Sequence, residues 1–159
     1  MRHAKSDWSD NQLSDKQRPL NKRGRVAAPK IASWLSDQDH VPERALVSAA
    51  VRTQETWDLM KSSFPKVSTE TSDAIYLADP NILTDHIKRQ SVQTLLVIAH
   101  NPGIAWLARS LLAEMPAHPK FEKYPTAAVL VTQFPISNWQ ELKAGSGSLV
   151  NFVVPDDLP

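Results

Sequence analysis

Two histidines and two arginines carry the chemistry open to this sequence: the adjacent pair Arg2-His3, then Arg52 and His100. A neutral imidazole nitrogen attacks phosphorus readily, and the resulting phosphoramidate hydrolyses readily, so one difficult displacement becomes two easier ones. A phosphoryl group in flight spreads negative charge over three oxygens. Arginine suits it, being planar, permanently charged and able to hold two oxygens at once. Arginines beside His3 also favour its neutral, attacking form. His100 stands at the start of a predicted helix, where it can donate a hydrogen bond to a phosphoryl oxygen with the helix N-terminus behind it. Arg52 falls in the first turn of another, where the macrodipole disfavours a cation and a bound anion would relieve the conflict. None of these residues decides anything alone, since an isolated Arg-His pair is most often surface decoration.

Bringing four dispersed residues together is the task of the elements between them. The segment up to about residue 20 is too rich in Ser, Asp and Lys for a strand. Asn21 is the expected N-cap of a helix to about residue 36, with Ala27, Ile31, Trp34 and Leu35 on one face. Pro29 either kinks this helix or marks its true first turn. Residues 44–48 read as a short buried strand, and Ser48 as the cap of a helix over about 51–62 with Trp57 on its inner side. A weaker strand is expected near 74–77, then a helix opened by Pro80. Residues 94–99 form a continuous apolar run suited to burial on both faces. They lead into His100-Asn101-Pro102-Gly103 and a helix over about 104–115. Two late strands, near 128–134 and 148–154, are expected to be joined by a Gly145-Ser146-Gly147 turn.

This alternation predicts one α/β domain over residues 1–159, in three layers, with helices on both faces of a largely parallel central sheet. Ligands in such folds bind beyond the carboxyl ends of the strands. The segments carrying Arg52 and His100 both follow a strand, so topology leads them to one crevice.

Composition narrows the function classes. The 159 residues are 42% apolar and 22% charged, as in a globular domain. A net charge of +1 gives no reason to expect nucleic acid or membrane as the main partner. There is a local bias, however: Lys16, Arg18, Lys22, Arg23 and Arg25 cluster near the N-terminus, as either a solvated face or a funnel for anionic substrates. Without cysteine there is no disulfide or thiolate chemistry. No apolar stretch is long enough to span a bilayer and no signal-peptide pattern opens the chain, which leads to a cytoplasmic expectation. His40, His86 and His118 show no ligand spacing, and no metal is assigned. The five tryptophans read as core or interface anchors. Trp8 is the exception, a candidate pocket wall in the loop after His3.

Taken in order, these residues resemble the histidine phosphatase superfamily, and within it the SixA-type phosphohistidine phosphatases. Arg2-His3-Ala4-Lys5-Ser6-Asp7-Trp8 resembles the opening motif, and Arg18-Pro19-Leu20-Asn21-Lys22-Arg23-Gly24 the second block. Ser48 to Thr56, with Arg52-Thr53-Gln54-Glu55 inside it, resembles the third. His100-Asn101-Pro102-Gly103 and Tyr124-Pro125-Thr126-Ala127-Ala128 resemble the fourth and fifth. The resemblance implies a phosphoglycerate-mutase-like fold, with His3 as the residue that becomes phosphorylated. Arg2, Arg52 and His100 would form the phosphate pocket, with no metal or organic cofactor. Asp15 matches a candidate proton donor of this subgroup, the alternative being an ordinary loop carboxylate. Where the wider superfamily has Gly after the histidine, this chain has Ala4, as SixA-like members often do.

One departure concerns the fold. The resemblance implies a short apolar strand ahead of the Arg-His pair, in the middle of the sheet, and here only Met1 precedes it. The first strand is therefore expected to be missing, with its neighbours' ladder groups unpaired at roughly 1–3 kcal/mol each. The natural protein is expected to carry several more N-terminal residues; otherwise His3 sits on a frayed terminus.

The leading expectation is a metal-independent phosphatase acting on phosphohistidine in a signalling protein. The alternatives are a small-molecule phosphomonoesterase and a non-catalytic module that binds phosphorylated ligands. Expected partners are thus a phosphorylated protein or a small phosphoester, with no nucleic acid and no membrane.

Overall fold

The computed structural model describes residues 1–159. Strand β1 (Arg44–Ser48) is the middle of a three-stranded parallel sheet, between β2 (Ser68–Ser72) and β3 (Leu95–Ile98). Side chains of a strand alternate between faces, and this alternation sorts the core into two halves. Ala45, Val47, Leu96 and Ile98 pack with helices α1 (Lys22–Asp37) and α2 (Val51–Met60). Leu46 and Ala99 pack on the opposite face, with α3 (Pro80–Lys88) and α4 (Gly103–Leu111). The three expected layers are therefore present. The late strands β4 (Val129–Gln133) and β5 (Ser148–Val153) pair antiparallel in their own ladder.

Residues 1–3 join the two ladders. His3 N–H donates to Ala99 O at 3.1 Å, and Ala99 N–H to Met1 O at 3.2 Å. On the other side Arg2 N–H donates to Ala128 O, and Ala127 N–H to His3 O, each at 3.0 Å. Only the single bridge Arg2 to Ala99 counts as ladder pairing, so no full first strand is formed. The expected fraying is not found: Met1 and His3 are 5% and 6% exposed, fixed by neighbours on both sides. Past Met1, β3 and β4 flank an apolar cleft of about 630 Å³. Its lining holds no Lys or Arg and none of Arg2, His3, Arg52 and His100, which gather elsewhere.

Several local expectations are corrected. The second strand is not at 74–77 but at Ser68–Ser72, and Asp73–Ile75 form a 3-10 turn. A polar edge strand carries no apolar signal of its own; its pairing with β1 defines it. Ser48 does not cap α2, whose N-cap is Ala50 without a side-chain bond. Pro29 lies inside α1, which begins at Asn21 as expected, with the Asn21 side chain accepting from Gly24 N–H at 3.0 Å. The link between β4 and β5 is longer than a glycine turn, since Trp139–Glu141 form a 3-10 helix within it. No helix is long and apolar enough to cross a membrane.

Candidate active site

The strand ends bring Arg2, His3, Arg52 and His100 into one crevice, and Asp15 arrives from the loop before α1. Arg52 is its hub. It is the second residue of α2, 4% exposed, and it makes four hydrogen bonds. Its Nε donates to His3 Nε2 at 3.3 Å, and one terminal nitrogen donates to the Asp15 backbone carbonyl. The other donates to Asp15 Oδ2 at 2.9 Å and to His100 Nδ1 at 3.1 Å. The Asp15 carboxylate thus relieves the conflict between Arg52 and the α2 macrodipole.

Guanidinium groups only donate, and this fixes both imidazole tautomers. His3 Nε2 accepts from Arg52, so the ring proton is on Nδ1, which donates to Ala4 O at 2.7 Å. The lone pair of Nε2 is therefore the acceptor of a long 3.3 Å bond from Arg52 Nε. His100 Nδ1 likewise accepts, leaving its proton on Nε2, which donates to Ser48 Oγ at 2.8 Å. Ser48 serves as this anchor instead of as a helix cap. The donor role expected of His100 toward a phosphoryl oxygen consequently needs a second ring proton, which the resting site does not hold.

Electrostatics agree with these assignments. Burial, followed by the charges of Arg52 and Arg2, lowers the His3 pKa to about 4, although its bond to Ala4 works in the other direction. Burial and then the neighbouring His3 and Arg52 bring His100 down to about 3. Both rings are neutral at pH 7. Burial alone would raise the Asp15 carboxyl, but hydrogen bonds from Tyr76 and Arg52 and the Arg52 charge outweigh it and hold the group below the usual carboxylate range. Arg2 donates to Tyr124 O at 3.0 Å, while its Nε is buried without a hydrogen-bond partner.

Two residues escaped the sequence reading. Tyr76 donates from its hydroxyl to Asp15 Oδ2 at 2.6 Å and sets its ring edge-on to His100 at 5.3 Å. Thr56 accepts from Ala4 N–H at 3.0 Å and donates to Arg52 O at 2.6 Å, locking the His3 loop to α2. Tyr76 had no discoverable signal because it lies in the segment misread as a strand. Thr56 sits one turn after Arg52, a spacing that could have flagged it. Trp8 is 64% exposed and stacks its ring under the Arg18 guanidinium at 4.2 Å, at the surface.

Two glycines make the loops fit. A Cβ on Gly24 would lie 2.3 Å from Lys5 O, so only glycine lets α1 press against the chain just after His3. A Cβ on Gly103 would lie 1.8 Å from Ala78 O, which explains the glycine closing the His100 turn.

No protein-family model matches the chain. It is 30% identical over 164 residues to the uncharacterized protein ML1117 of Mycobacterium leprae, covering 98% of this chain and 99% of that one. Among solved structures it is similar to SixA from Agrobacterium tumefaciens, with TM-score 0.81 and 24% identity over 98% of this chain and 95% of that one. It is also similar to the protein histidine phosphatase SixA complexed with tungstate, with TM-score 0.78 and 23% identity over 99% and 96% of the two chains. The chain therefore belongs to one family with ML1117, and it shares its fold with the SixA-type phosphohistidine phosphatases.

Proposed function

We propose that the protein is a phosphatase that passes a phosphoryl group through His3 to water, acting on phosphohistidine in a protein. The observation that carries this reading is the wiring of His3: its Nδ1 proton is tied to Ala4 O, so Nε2 keeps its lone pair, engaged only by a long 3.3 Å bond from Arg52. In the first step the P–N bond of the substrate breaks as a bond from phosphorus to His3 Nε2 forms. Arg52 and Arg2 take the phosphoryl charge as it develops. In the second, water attacks phosphorus, the bond to Nε2 breaks and inorganic phosphate leaves.

The leaving group decides between substrate classes. An alkyl phosphoester expels an alkoxide and needs a strong acid beside it. A phosphohistidine protonated on its distal ring nitrogen expels neutral imidazole and needs none. Asp15, the carboxylate bonded to this cluster, is held ionised by Arg52 and Tyr76. It therefore fits poorly as the proton donor expected from the sequence and suits the role of base, taking a proton from the attacking water. This supports the phosphohistidine reading over the small-phosphoester alternative. A neutral nucleophile favours turnover over mere binding.

The test is to incubate wild type and His3→Ala with a phosphohistidine-bearing domain and with an alkyl phosphoester, quenching in alkali to preserve phosphoramidates. The expected outcome is phosphate release chiefly from the phosphohistidine domain, label on His3, and background rates in His3→Ala. Full activity of His3→Ala would overturn the covalent route, and a preference for the alkyl ester would overturn the substrate class.

A further inference from the structure

The structure divides the N-terminal basic cluster of the sequence into two sets. Lys16 pairs with Asp73, Arg25 pairs with Glu55, and Arg18 lies over the Trp8 ring. Lys22 and Arg23 turn instead to a separate groove of about 660 Å³, together with Lys5, Lys30, Lys120 and Lys123. Six cations line it against one carboxylate, Asp156, and that one is already paired with Lys120 at 2.6 Å. Lys30 donates to the Pro159 carbonyl at 2.9 Å. Lys5, Lys22, Arg23 and Lys123 are exposed and have no acidic partner within 4.0 Å. In a chain of net charge +1, this is a strong local concentration.

Two further observations point to an anionic occupant. The first turn of α1 holds no acidic residue and places Lys22 and Arg23 where the macrodipole opposes them, a local cost that an anion in the groove would offset. The groove is also lined by residues that adjoin crevice residues along the chain. Lys5 is two residues past His3, and its carbonyl accepts from Asn21 N–H at 2.9 Å at the start of α1. On the other wall, Pro125 follows the Tyr124 whose carbonyl holds Arg2.

We propose that this groove docks an acidic polypeptide segment beside the phosphorylated side chain being processed. Lys22 and Lys30 are eight residues apart on one helix, roughly 12 Å along its axis, too far for one phosphate to engage both. Long, flexible, unpartnered lysines steer and retain a charged surface without fixing a single geometry. The inference rests on the proposed function only in identifying that segment with the substrate protein.

Two measurements on the full chain test it. Calorimetric binding of an oligoglutamate peptide is compared for wild type and for the double variant Arg23→Glu/Lys123→Glu, and kcat/KM is compared for a phosphohistidine-bearing domain and a small phosphoramidate. The expected result is at least about tenfold weaker peptide binding in the variant. The phosphoprotein-to-phosphoramidate selectivity should fall by a similar factor, through KM. Wild-type binding should also weaken several-fold as salt rises from about 20 to about 200 mM, a readout that survives any folding defect in the variant. Equal peptide binding by both proteins, salt-independent binding, or binding of inorganic triphosphate but not the peptide would each overturn the proposal. If the peptide binds as expected while wild type fails to turn over the phosphoprotein, the docking groove stands and the phosphatase reading fails.

Discussion

Arg52 and Arg23 occupy the same place in two helices, the second residue of α2 and of α1, and have opposite environments. Both face the positive end of a macrodipole. Arg52 is buried, and its four hydrogen bonds tie together His3, His100 and Asp15. Arg23 is exposed and makes neither a salt bridge nor a side-chain hydrogen bond. The cation at the N-terminus of α2 meets its anion in Asp15, whereas no carboxylate of the chain pairs with the one at the N-terminus of α1. Burial separates an arginine preorganised for a transition state from one available for steering. The first kind acts through geometry and tolerates no substitute; the second acts through charge and responds to salt.

The largest effect should come from the buried arginine. Arg52→Ala is expected to lower kcat by about 10²- to 10³-fold with a much smaller change in KM, because its charge meets the phosphoryl group chiefly in the transition state. Arg52→Lys should not restore the rate, since an ammonium cannot serve these acceptors from one plane. Steady-state kinetics showing kcat within a few-fold of wild type for either variant would remove Arg52 from the centre of the comparison.

Asp15→Asn should act next, lowering turnover by roughly 10- to 100-fold, the lower end of general acid–base contributions. If the carboxylate serves the attacking water, phosphorylated His3 will accumulate, and alkaline-quench measurements should detect a burst. A loss confined to alkyl phosphoesters, without accumulation, would instead restore Asp15 as a proton donor.

A pH series probes the same buried cluster. With the His3 pKa lowered to about 4, the acid limb of kcat/KM should break near 4, not near the ordinary histidine value of about 6.5. Stability should show the linked effect. Between about 4 and 6.5 the unfolded chain binds protons that folded His3 refuses, and His100 extends the window down to about 3. Stability therefore rises with pH through this range and levels off above it. Thermal unfolding midpoints that are flat from pH 4 to 7 would contradict the neutral, buried state of both rings.

The smallest effects separate the exposed cations from one another. Arg25→Ala loses an exposed ion pair with Glu55 and should cost less than about 1 kcal/mol. Arg23→Ala removes an unpaired cation from the α1 dipole and should be neutral or stabilising by a few tenths of a kcal/mol. Denaturant melts that place Arg23→Ala below Arg25→Ala in stability would mean Arg23 has a partner inside the fold.

Much of the fold was legible in the sequence, because burial leaves a pattern. The run before His100 and the segment at residues 44–48 became β3 and β1, and Asn21 capped α1, since these signals come from local apolar order and local backbone bonding. β2 was not legible. Its Ser-Thr-Glu-Thr-Ser sequence is polar at an exposed edge, and only β1 beside it makes it a strand.

The site divides the same way. Residue types and their order were enough to single out Arg2, His3, Arg52 and His100 and to suggest phosphoryl chemistry, because nucleophilicity and charge belong to the side chain; Asp15 entered only through the family resemblance. Protonation and direction belong to the environment, and only the folded arrangement decided them. Ala4 O and Arg52 select the His3 tautomer, Ser48 turns the His100 proton away from the crevice, and Tyr76 with Arg52 keeps Asp15 ionised. Tertiary structure likewise split one basic cluster into paired surface charges and an unpaired groove. Hydrogen bonds across 37 to 61 positions of chain are set by packing, and no local pattern in the sequence records them.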